Sequence, residues 1–157
     1  NLYNITSELH QYIFECVSIK KMFIEKDEFD VGIRRLLNYG HTFGHALELA
    51  SNYTIPHGVA VARGMDIVNY IAVKKELMGK ILYDEIHNII IEYFYSDRVF
   101  GICPKVLIEN TKKDKKNSNG MLNLVFLGEL GNLFVKPIQL DSELNAIVSS
   151  YIEENFC

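Results

Sequence analysis

Three histidines lie close together in the sequence and could bind a metal ion. His41 and His45 are four residues apart, so on a helix they project from one face, and His57 follows after a short connection. Because neutral imidazole is a common ligand of Zn²⁺ and its neighbours, this spacing predicts a divalent metal site. The alternative is that each ring is a structural or solvated histidine. His10 and His87 have no comparable neighbours, and we interpret them as ordinary surface or core residues.

Two more polar side chains precede the histidine pair at helical spacing. Arg34 and Asn38 come seven and three residues before His41. A continuous helix over residues 33–51 would place all of them on one face with His45. Such a face is costly to bury without a partner, and the planar fork of arginine matches a carboxylate or phosphate. The stripe therefore predicts a pocket for an anionic, hydroxylated ligand, or alternatively a polar surface that faces solvent.

Two glycines, Gly40 and Gly44, fall inside the same predicted helix. Each costs about 1 kcal/mol relative to alanine in a helix interior. A pair four residues apart indicates that backbone or ligand approaches this face closely. The glycines therefore favour the pocket over the solvent-facing stripe.

The hydrophobic periodicity predicts one domain that is mainly α-helical, with one small β-hairpin. Gly79 and Pro104 mark a helix end and a helix start, and Gly128 and Gly131 lie around the turn of the hairpin. The predicted helices cover residues 5–26, 33–51, 57–78, 81–95 and 104–111, and a last helix runs from Asp141 or Ser142 as the cap to about residue 155. The predicted strands cover residues 121–127 and 133–138. Residues 27–32 and 52–56 are predicted loops.

The composition is that of a globular domain. Of the 157 residues, 48% are hydrophobic and the formal net charge is -4, so a core can form and no basic face for nucleic acid is expected. The one basic cluster, residues 112–116, predicts a solvated surface loop. No apolar run approaches the roughly 20 residues that span a bilayer, so no membrane association is expected. Three scattered cysteines, Cys16, Cys103 and Cys157, predict a reducing, cytoplasmic location.

Four segments resemble, in order and spacing, the motifs of the 3-dehydroquinate synthases, a family of sugar-phosphate cyclases. Residues 34–48 contain the Gly-His-Thr-Phe-Gly-His core, and residues 57–65 resemble the family's second histidine motif. Lys20 and the Asp-Lys-Lys run of residues 114–116 resemble two further segments. The resemblance covers residues 12–140 and implies the helical C-terminal metal-binding domain of this fold.

The resemblance also implies which residues bind the metal and carry the chemistry. His41 and His57 match two ligands of a catalytic Zn²⁺ or Co²⁺ ion. His45 matches a histidine that does not bind the metal but lies near the substrate phosphate and the proton transfer. Lys20 matches a lysine near the ring hydroxyls and carboxylate, so His45 and Lys20 are the implied catalytic residues.

The remaining implied contacts are with the substrate. Arg34 matches the arginine that recognises its carboxylate, and Asn38 and Lys115 match contacts on the phosphate side. The implied substrate is 3-deoxy-D-arabino-heptulosonate 7-phosphate. NAD⁺ oxidises one hydroxyl, phosphate is eliminated, and the ketone is reduced back so that NAD⁺ is regenerated. The ring then opens and recloses as the carbocycle 3-dehydroquinate, in the shikimate pathway to aromatic amino acids. Members of the family are commonly homodimers, so a homodimer is expected.

The sequence departs from the family pattern at identifiable places. Neither the Glu-x-x-Lys segment with the third metal ligand nor the glycine-rich NAD-binding domain is found in it. We therefore expect the chain to be the C-terminal part of a longer enzyme, inactive by itself, and we can name no NAD-binding residue. Val59 stands where an acidic residue usually follows His-Gly, which removes a carboxylate that could orient a ligand histidine.

Two alternative functions remain open at the level of the sequence. One is a cyclase of secondary metabolism that acts on a different sugar phosphate. Arg34 and Asn38 favour the dehydroquinate reaction over it, because cyclases whose substrates lack a carboxylate tend to replace the arginine. The other is a catalytically inactive relative retained for binding or assembly, which Val59 and the missing glutamate would explain.

Overall fold

Helices account for most of the computed structural model, together with one two-stranded antiparallel hairpin among the described residues. The structure describes residues 2–94, 101–112 and 120–156, and the side chains of residues 8–94, 101–112 and 120–155. The chain divides into two units, Asn1–Leu37 and Asn38–Cys157. The mainly α-helical class with one small hairpin is therefore confirmed.

Asp27 organises the loop that follows the first helix, α1 (Leu2–Lys26). Its carboxylate accepts hydrogen bonds from the backbone N–H groups of Val31 at 3.1 Å, Gly32 at 2.7 Å and Arg34 at 3.0 Å. Desolvation raises the pKa of Asp27, but these hydrogen bonds outweigh it and hold the pKa below its usual value. The ionised side chain thus fixes the turn that presents Arg34.

The continuous helix predicted over residues 33–51 is wrong. A 3-10 helix covers Ile33–Asn38, and α2 begins only at His41 and ends at Ala50. Gly40 lies between them as the N-cap of α2, with a left-handed φ of 76°. A residue with a side chain is strained in this conformation, so the glycine serves a change of chain direction here and is not a helix-interior residue.

The interruption also overturns the predicted helical stripe. Arg34 and Asn38 belong to the 3-10 helix, whereas His41 and His45 belong to α2. The 3-10 helix has three residues per turn and the α-helix 3.6, and the left-handed turn separates them. The four side chains therefore do not share one continuous helix face.

The connection between α2 and α3 (His57–Lys74) is short and hydrogen-bonded. Asn52 and Tyr53 adopt left-handed backbone angles, with φ of 50° and 59°. The N–H group of Tyr53 donates to the carbonyl oxygen of Glu48 at 2.7 Å. This ending of α2 returns the chain directly to the start of α3, with Pro56 as its N-cap.

The helix α3 forms the centre of the second unit. It packs against α2 and against three later elements, namely α4 (Lys80–Phe94), α6 (Ser142–Phe156) and β1 (Met121–Glu129). It ends earlier than the predicted residue 78. Glu76 has a φ of 56°, which ends the helix by a left-handed turn. The largest fully buried apolar side chains of the core are Phe43, Leu47, Ile67, Ile71, Leu107, Leu122, Leu124, Phe126, Leu144 and Ile152.

The remaining elements follow the sequence-based prediction closely. The helix α5 covers Pro104–Thr111, and β1 pairs with β2 (Asn132–Gln139) in antiparallel register. Asp141 caps α6, because its carboxylate accepts a hydrogen bond from the Leu144 N–H group at 2.9 Å. These predictions fell close to the observed ends because proline, glycine and an acidic cap mark the boundaries.

A buried cluster of polar side chains surrounds Asp66 of α3, which is 0% exposed. Its carboxylate accepts hydrogen bonds from His87 Nδ1 at 2.8 Å and from the Tyr151 hydroxyl at 2.5 Å. Burial and the charge of Asp66 raise the pKa of Tyr151 well above its usual value, while the nearby cation of Arg63 lowers it. His87 is therefore a structural histidine that ties α4 to α3.

Three further predictions, on membrane association, the cysteines and the basic cluster, concern residues that the structure describes at least in part. Among them, no helix has the length and apolar character needed to cross a membrane. Cys16 and Cys103 are exposed free thiols, while Cys157 lies outside the described residues. Of the predicted basic loop, Lys112 is exposed and pairs with Glu109 at 2.5 Å, and residues 113–116 lie outside the described residues.

Candidate metal centre

The two helices α2 and α3 bring three imidazole rings together. The ring centroids of His41 and His45 are 5.5 Å apart, those of His41 and His57 5.6 Å, and those of His45 and His57 5.9 Å. His41, His45 and Glu48 follow at helical spacing along one face of α2. Because His57 is the first residue of α3, the short connection places its ring against that face.

Close contact between the two helix backbones positions these rings. A Cβ atom on Gly44 would lie 3.0 Å from Cα of Val61, and the backbone of Gly64 lies against α2 in the same way. The prediction that backbone approaches the glycine pair closely is confirmed, and α3 is the element that approaches. Glycine on both helices thus lets α2 and α3 pack closely, which brings the histidines of α2 near His57 of α3.

Hydrogen bonds indicate which ring nitrogen of His41 and of His57 carries the proton. His41 Nδ1 lies 3.2 Å from the carbonyl oxygen of Tyr39, and His57 Nδ1 lies 3.1 Å from Oε1 of Glu48. A carbonyl oxygen and an ionised carboxylate can only accept, so each Nδ1 carries the proton. The lone pair is then on Nε2 of both rings. Histidines that bind metals commonly have this arrangement, with the other ring nitrogen held by an oxygen.

A second set of possible donor atoms overlaps the first. Donor atoms of His45, Glu48 and His57 all lie within 4.8 Å of one another. In this set Glu48 would bind the ion directly, which competes with its hydrogen bond to His57. Because that hydrogen bond is formed and Glu48 is only 14% exposed, we interpret Glu48 as the partner of the ring and His41 with His57 as the better ligand pair.

The electrostatic setting and the exposure of the site suit an anionic ligand. His45 and His57 are exposed, so solutes can reach them. His57 begins α3, whose 18 residues place the positive end of the helix dipole beside the rings. This field favours a negatively charged group next to the rings.

The other predicted site residues have different surroundings. Lys20 is exposed on α1, and Arg34 is half-buried with Nη1 donating to the carbonyl oxygen of Glu28 at 2.6 Å. Both belong to the first unit, whereas the three histidines and the half-buried Asn38 belong to the second. Lys115 lies outside the described residues.

Val59, the departure from the family motif, is half-buried and packs against the hydrophobic core. Its side chain contributes apolar contact at a position where a carboxylate could otherwise orient a histidine. Glu48 already provides a carboxylate to His57 Nδ1. The replacement at position 59 therefore leaves His57 with an orienting partner.

Sequence reasoning missed two participants in the site, Glu48 and Tyr39. Glu48 could have been found, because it lies seven residues after His41 and three after His45, on the same helix face. Tyr39 contributes its backbone carbonyl oxygen, which is available only because the chain breaks between the 3-10 helix and α2. No side-chain pattern indicates such a contact.

Comparison with protein families gives a match over most of the chain. The model of the family described as 3-dehydroquinate synthase C-terminal matches residues 1–117. The 3-dehydroquinate synthase of Clostridium perfringens (strain SM101) is 38% identical over 136 residues, which is 86% of this chain and 39% of the relative. The enzyme of that name from Campylobacter jejuni (strain 81-176) is 35% identical over 134 residues, 80% of this chain and 36% of the relative. The chain thus spans about two fifths of these relatives.

Two solved structures are similar to most of the chain. One is a 2-deoxy-scyllo-inosose synthase, with a TM-score of 0.74, 22% identity, and coverage of 92% of this chain and 40% of that chain. The other is a 2-deoxy-scyllo-inosose synthase in complex with carbaglucose-6-phosphate, NAD⁺ and Co²⁺, with a TM-score of 0.77, 22% identity, and coverage of 95% and 42%. At this identity the likeness shows the fold, which is the dehydroquinate synthase-like fold predicted from the sequence.

Proposed function

Because the chain belongs to the 3-dehydroquinate synthase family, we propose that it forms the metal-binding part of a cyclase that eliminates phosphate from a sugar phosphate. The proposed reaction converts 3-deoxy-D-arabino-heptulosonate 7-phosphate to 3-dehydroquinate and phosphate in the shikimate pathway. The observation that carries the proposal is the closeness of the His41 and His57 rings, 5.6 Å apart between centroids, each with Nδ1 hydrogen-bonded to an oxygen.

The donor set suits the metal ion that the proposal requires. His41 and His57 would hold Zn²⁺ or Co²⁺ through Nε2, and both ions accept imidazole ligands. When bound, the ion would orient the hydroxyl to be oxidised and lower its pKa. The third ligand would be the glutamate of the family's Glu-x-x-Lys segment, which is not found in this sequence.

The chain's own side chains would recognise and position the substrate. His45, exposed beside the two ligand rings, is suited to proton transfer near the leaving phosphate. The fork of Arg34 would bind the carboxylate, and its turn is already fixed by Asp27. Asn38 and Lys115 would contact the phosphate and Lys20 the ring hydroxyls, which restrains the substrate for elimination.

We further propose that NAD⁺ is bound by a separate domain and that the complete enzyme is a cytoplasmic homodimer. The separate domain is motivated by the coverage, because this chain spans 39% of its C. perfringens relative and matches a C-terminal domain model. The homodimer rests on the family resemblance and the location on the scattered cysteines. A 2-deoxy-scyllo-inosose synthase of this fold has been solved in complex with NAD⁺ and Co²⁺, which supports the proposal.

Phosphate release by the full-length protein tests the proposed substrate. The assay compares the heptulosonate phosphate with glucose 6-phosphate, the sugar that corresponds to the analogue in the similar structure, in the presence of NAD⁺ and Co²⁺. Release from the heptulosonate phosphate alone supports the proposal. Release only from glucose 6-phosphate supports a cyclase of secondary metabolism, and binding of metal without release from either supports an inactive relative.

Two further variants, Arg34→Met and Arg35→Met, test the carboxylate contact by their KM values. They are a matched pair, because the two arginines are adjacent and carry the same charge. Arg34 is half-buried, and Arg35 is exposed. A hydrogen bond to a charged group contributes about 1.5–3 kcal/mol, so loss of the carboxylate contact raises KM roughly 10- to 100-fold in the first variant. The second variant keeps the KM of the wild type. Equal effects in the two variants would contradict the role of Arg34.

A further inference from the structure

A hydrogen-bonded path leads from the core of α3 to the candidate ligand His41. Asn69, in the middle of α3, is 0% exposed, and its Oδ1 accepts a hydrogen bond of 2.5 Å from the hydroxyl group of Tyr39. At the other end of the same residue, the Tyr39 carbonyl oxygen accepts from His41 Nδ1 at 3.2 Å. Tyr39 therefore joins the ring to a buried, immobile side chain.

The amide of Asn69 is not explained by the stability of the fold. Its Nδ2 atom is buried and has no hydrogen-bond partner in the part of the chain that the structure describes. A buried donor in this state costs about 1–3 kcal/mol, and a leucine of similar size would avoid that cost. The contact that Asn69 does make is the one to the Tyr39 hydroxyl.

The position of Tyr39 explains why its side chain needs an anchor. Tyr39 lies in the turn between the 3-10 helix and α2, where no continuous helical ladder sets the direction of its carbonyl group. Gly40 follows with a left-handed φ of 76°, and glycine restrains the peptide less than any other residue. Fixing the phenol ring therefore restricts the carbonyl oxygen that holds His41.

We propose that Asn69 and Tyr39 are positioning residues for His41, and that they keep its ring in the Nδ1-protonated tautomer with Nε2 directed to the metal. The inference deepens the proposed function and rests on it. Asn69 acts through Tyr39, and Tyr39 acts through its main chain, so neither residue touches the ion or the substrate.

The test is the double variant Tyr39→Phe/Asn69→Leu in the full-length protein. Removing both partners of a hydrogen bond and keeping the volume is nearly neutral or stabilising, so the free energy of unfolding stays equal or rises. The affinity for Co²⁺, measured by titration calorimetry, falls about 10-fold, as is typical when the partner of a ligand histidine is lost. Nitrogen-15 NMR of the metal-free variant shows a new population of His41 protonated at Nε2.

Tyr70→Phe is the matched control. Tyr70 is also a buried tyrosine of the second unit, and its hydroxyl donates to a side chain, Glu154, at 2.8 Å. This variant keeps the Co²⁺ affinity and the His41 tautomer of the wild type. Tyr39→Phe alone provides a milder variant if the double variant is poorly folded.

Wild-type Co²⁺ affinity together with an unchanged His41 tautomer in the Tyr39 variants would overturn the inference. A wild-type protein that binds no divalent metal would instead contradict the proposed function. The tautomer of His41 is measured without metal. It therefore still tests the role of Tyr39 and Asn69 if the protein binds no divalent metal.

Discussion

A Cβ atom on Gly64 of α3 would lie 2.0 Å from the carbonyl oxygen of Gly40. It would also lie 2.6 Å from the backbone nitrogen of Gly44. These are main-chain atoms at the start of α2, and they cannot move aside as a flexible side chain could. Any side chain at position 64 therefore separates α2 from α3.

Gly64→Ala is expected to destabilise the protein by about 3 kcal/mol or more, at the upper end of overpacking effects. The control is Gly58→Ala in the same helix, because a Cβ atom there meets no heavy atom within 4 Å. Alanine favours a helix by up to about 1 kcal/mol over glycine, so this control is neutral or stabilising. Urea unfolding of both variants measures the difference, and equal midpoints would contradict the close helix contact.

Glu48 is expected to set the metal affinity of His57 without binding the ion. Glu48→Ala removes the acceptor of His57 Nδ1 and lowers the Co²⁺ affinity about 100-fold, whereas Glu48→Gln keeps an acceptor oxygen and lowers it about 10-fold. Glu92→Gln, an exposed residue of α4, controls for the loss of one charge. Calorimetric titration with Co²⁺ compares the variants.

His41→Ala and His45→Ala decide between the two donor sets. If His41 and His57 hold the ion, the first variant loses Co²⁺ binding and the second retains it. The reverse order would show that His45, Glu48 and His57 form the metal site.

Asp66 is expected to be essential for stability although it lies outside the candidate site. Asp66→Leu removes the carboxylate that accepts hydrogen bonds from His87 and Tyr151. Their buried donor groups then have no acceptor there, which lowers the free energy of unfolding by roughly 3 kcal/mol. Asp84→Asn is the control, because its pairing with Lys80 is solvent-exposed and changes stability by less than about 1 kcal/mol. Chemical unfolding checks both values, and a small effect of Asp66→Leu would show that the cluster is dispensable.

Stability is expected to fall at alkaline pH partly because of Tyr70. Burial, followed by the hydrogen bond to the Glu154 carboxylate and its charge, raises the pKa of Tyr70 to about 12. Between pH about 10 and about 12 the unfolded chain loses this proton and the folded chain keeps it. The free energy of unfolding therefore decreases as pH rises through this window, by at most about 1.4 kcal/mol per pH unit.

Tyr70→Phe lacks this contribution, so its stability falls less steeply above pH about 10. Near-ultraviolet absorbance of the phenolate group follows the ionisation directly. The wild type shows one more late-ionising tyrosine than the variant. Ionisation of Tyr70 at its usual pKa would contradict the structural environment described for it.

The helices were largely predictable because their boundaries carry local signals. Pro104 begins α5 at the predicted residue, and Asp141 caps α6 as expected. Apolar periodicity placed α3 and α4 to within a few residues. Local spacing likewise indicated that His41 and His45 share a face.

The break at Gly40 was not predictable from that periodicity. A glycine in a helical pattern can be a helix-interior residue that allows a neighbouring element to pack closely, or it can be a left-handed cap at the helix end. The sequence pattern is the same in both cases. Gly44 is the first kind and Gly40 the second. The polar contacts of Asp66 and Asn69 were hidden for another reason, since their partners lie 85 and 30 residues away in the sequence.

The imidazoles and the carboxylate of the candidate centre all come from one helical hairpin, α2 and α3 with their short connection. Because these residues are close in sequence, the cluster has a low contact order. It can therefore form quickly, before the two strands of the β-hairpin pair. A cation present during synthesis would then bridge α2 and α3 early in folding. It would hold α3 in its native position against α2 while the later segments of the chain pack onto α3.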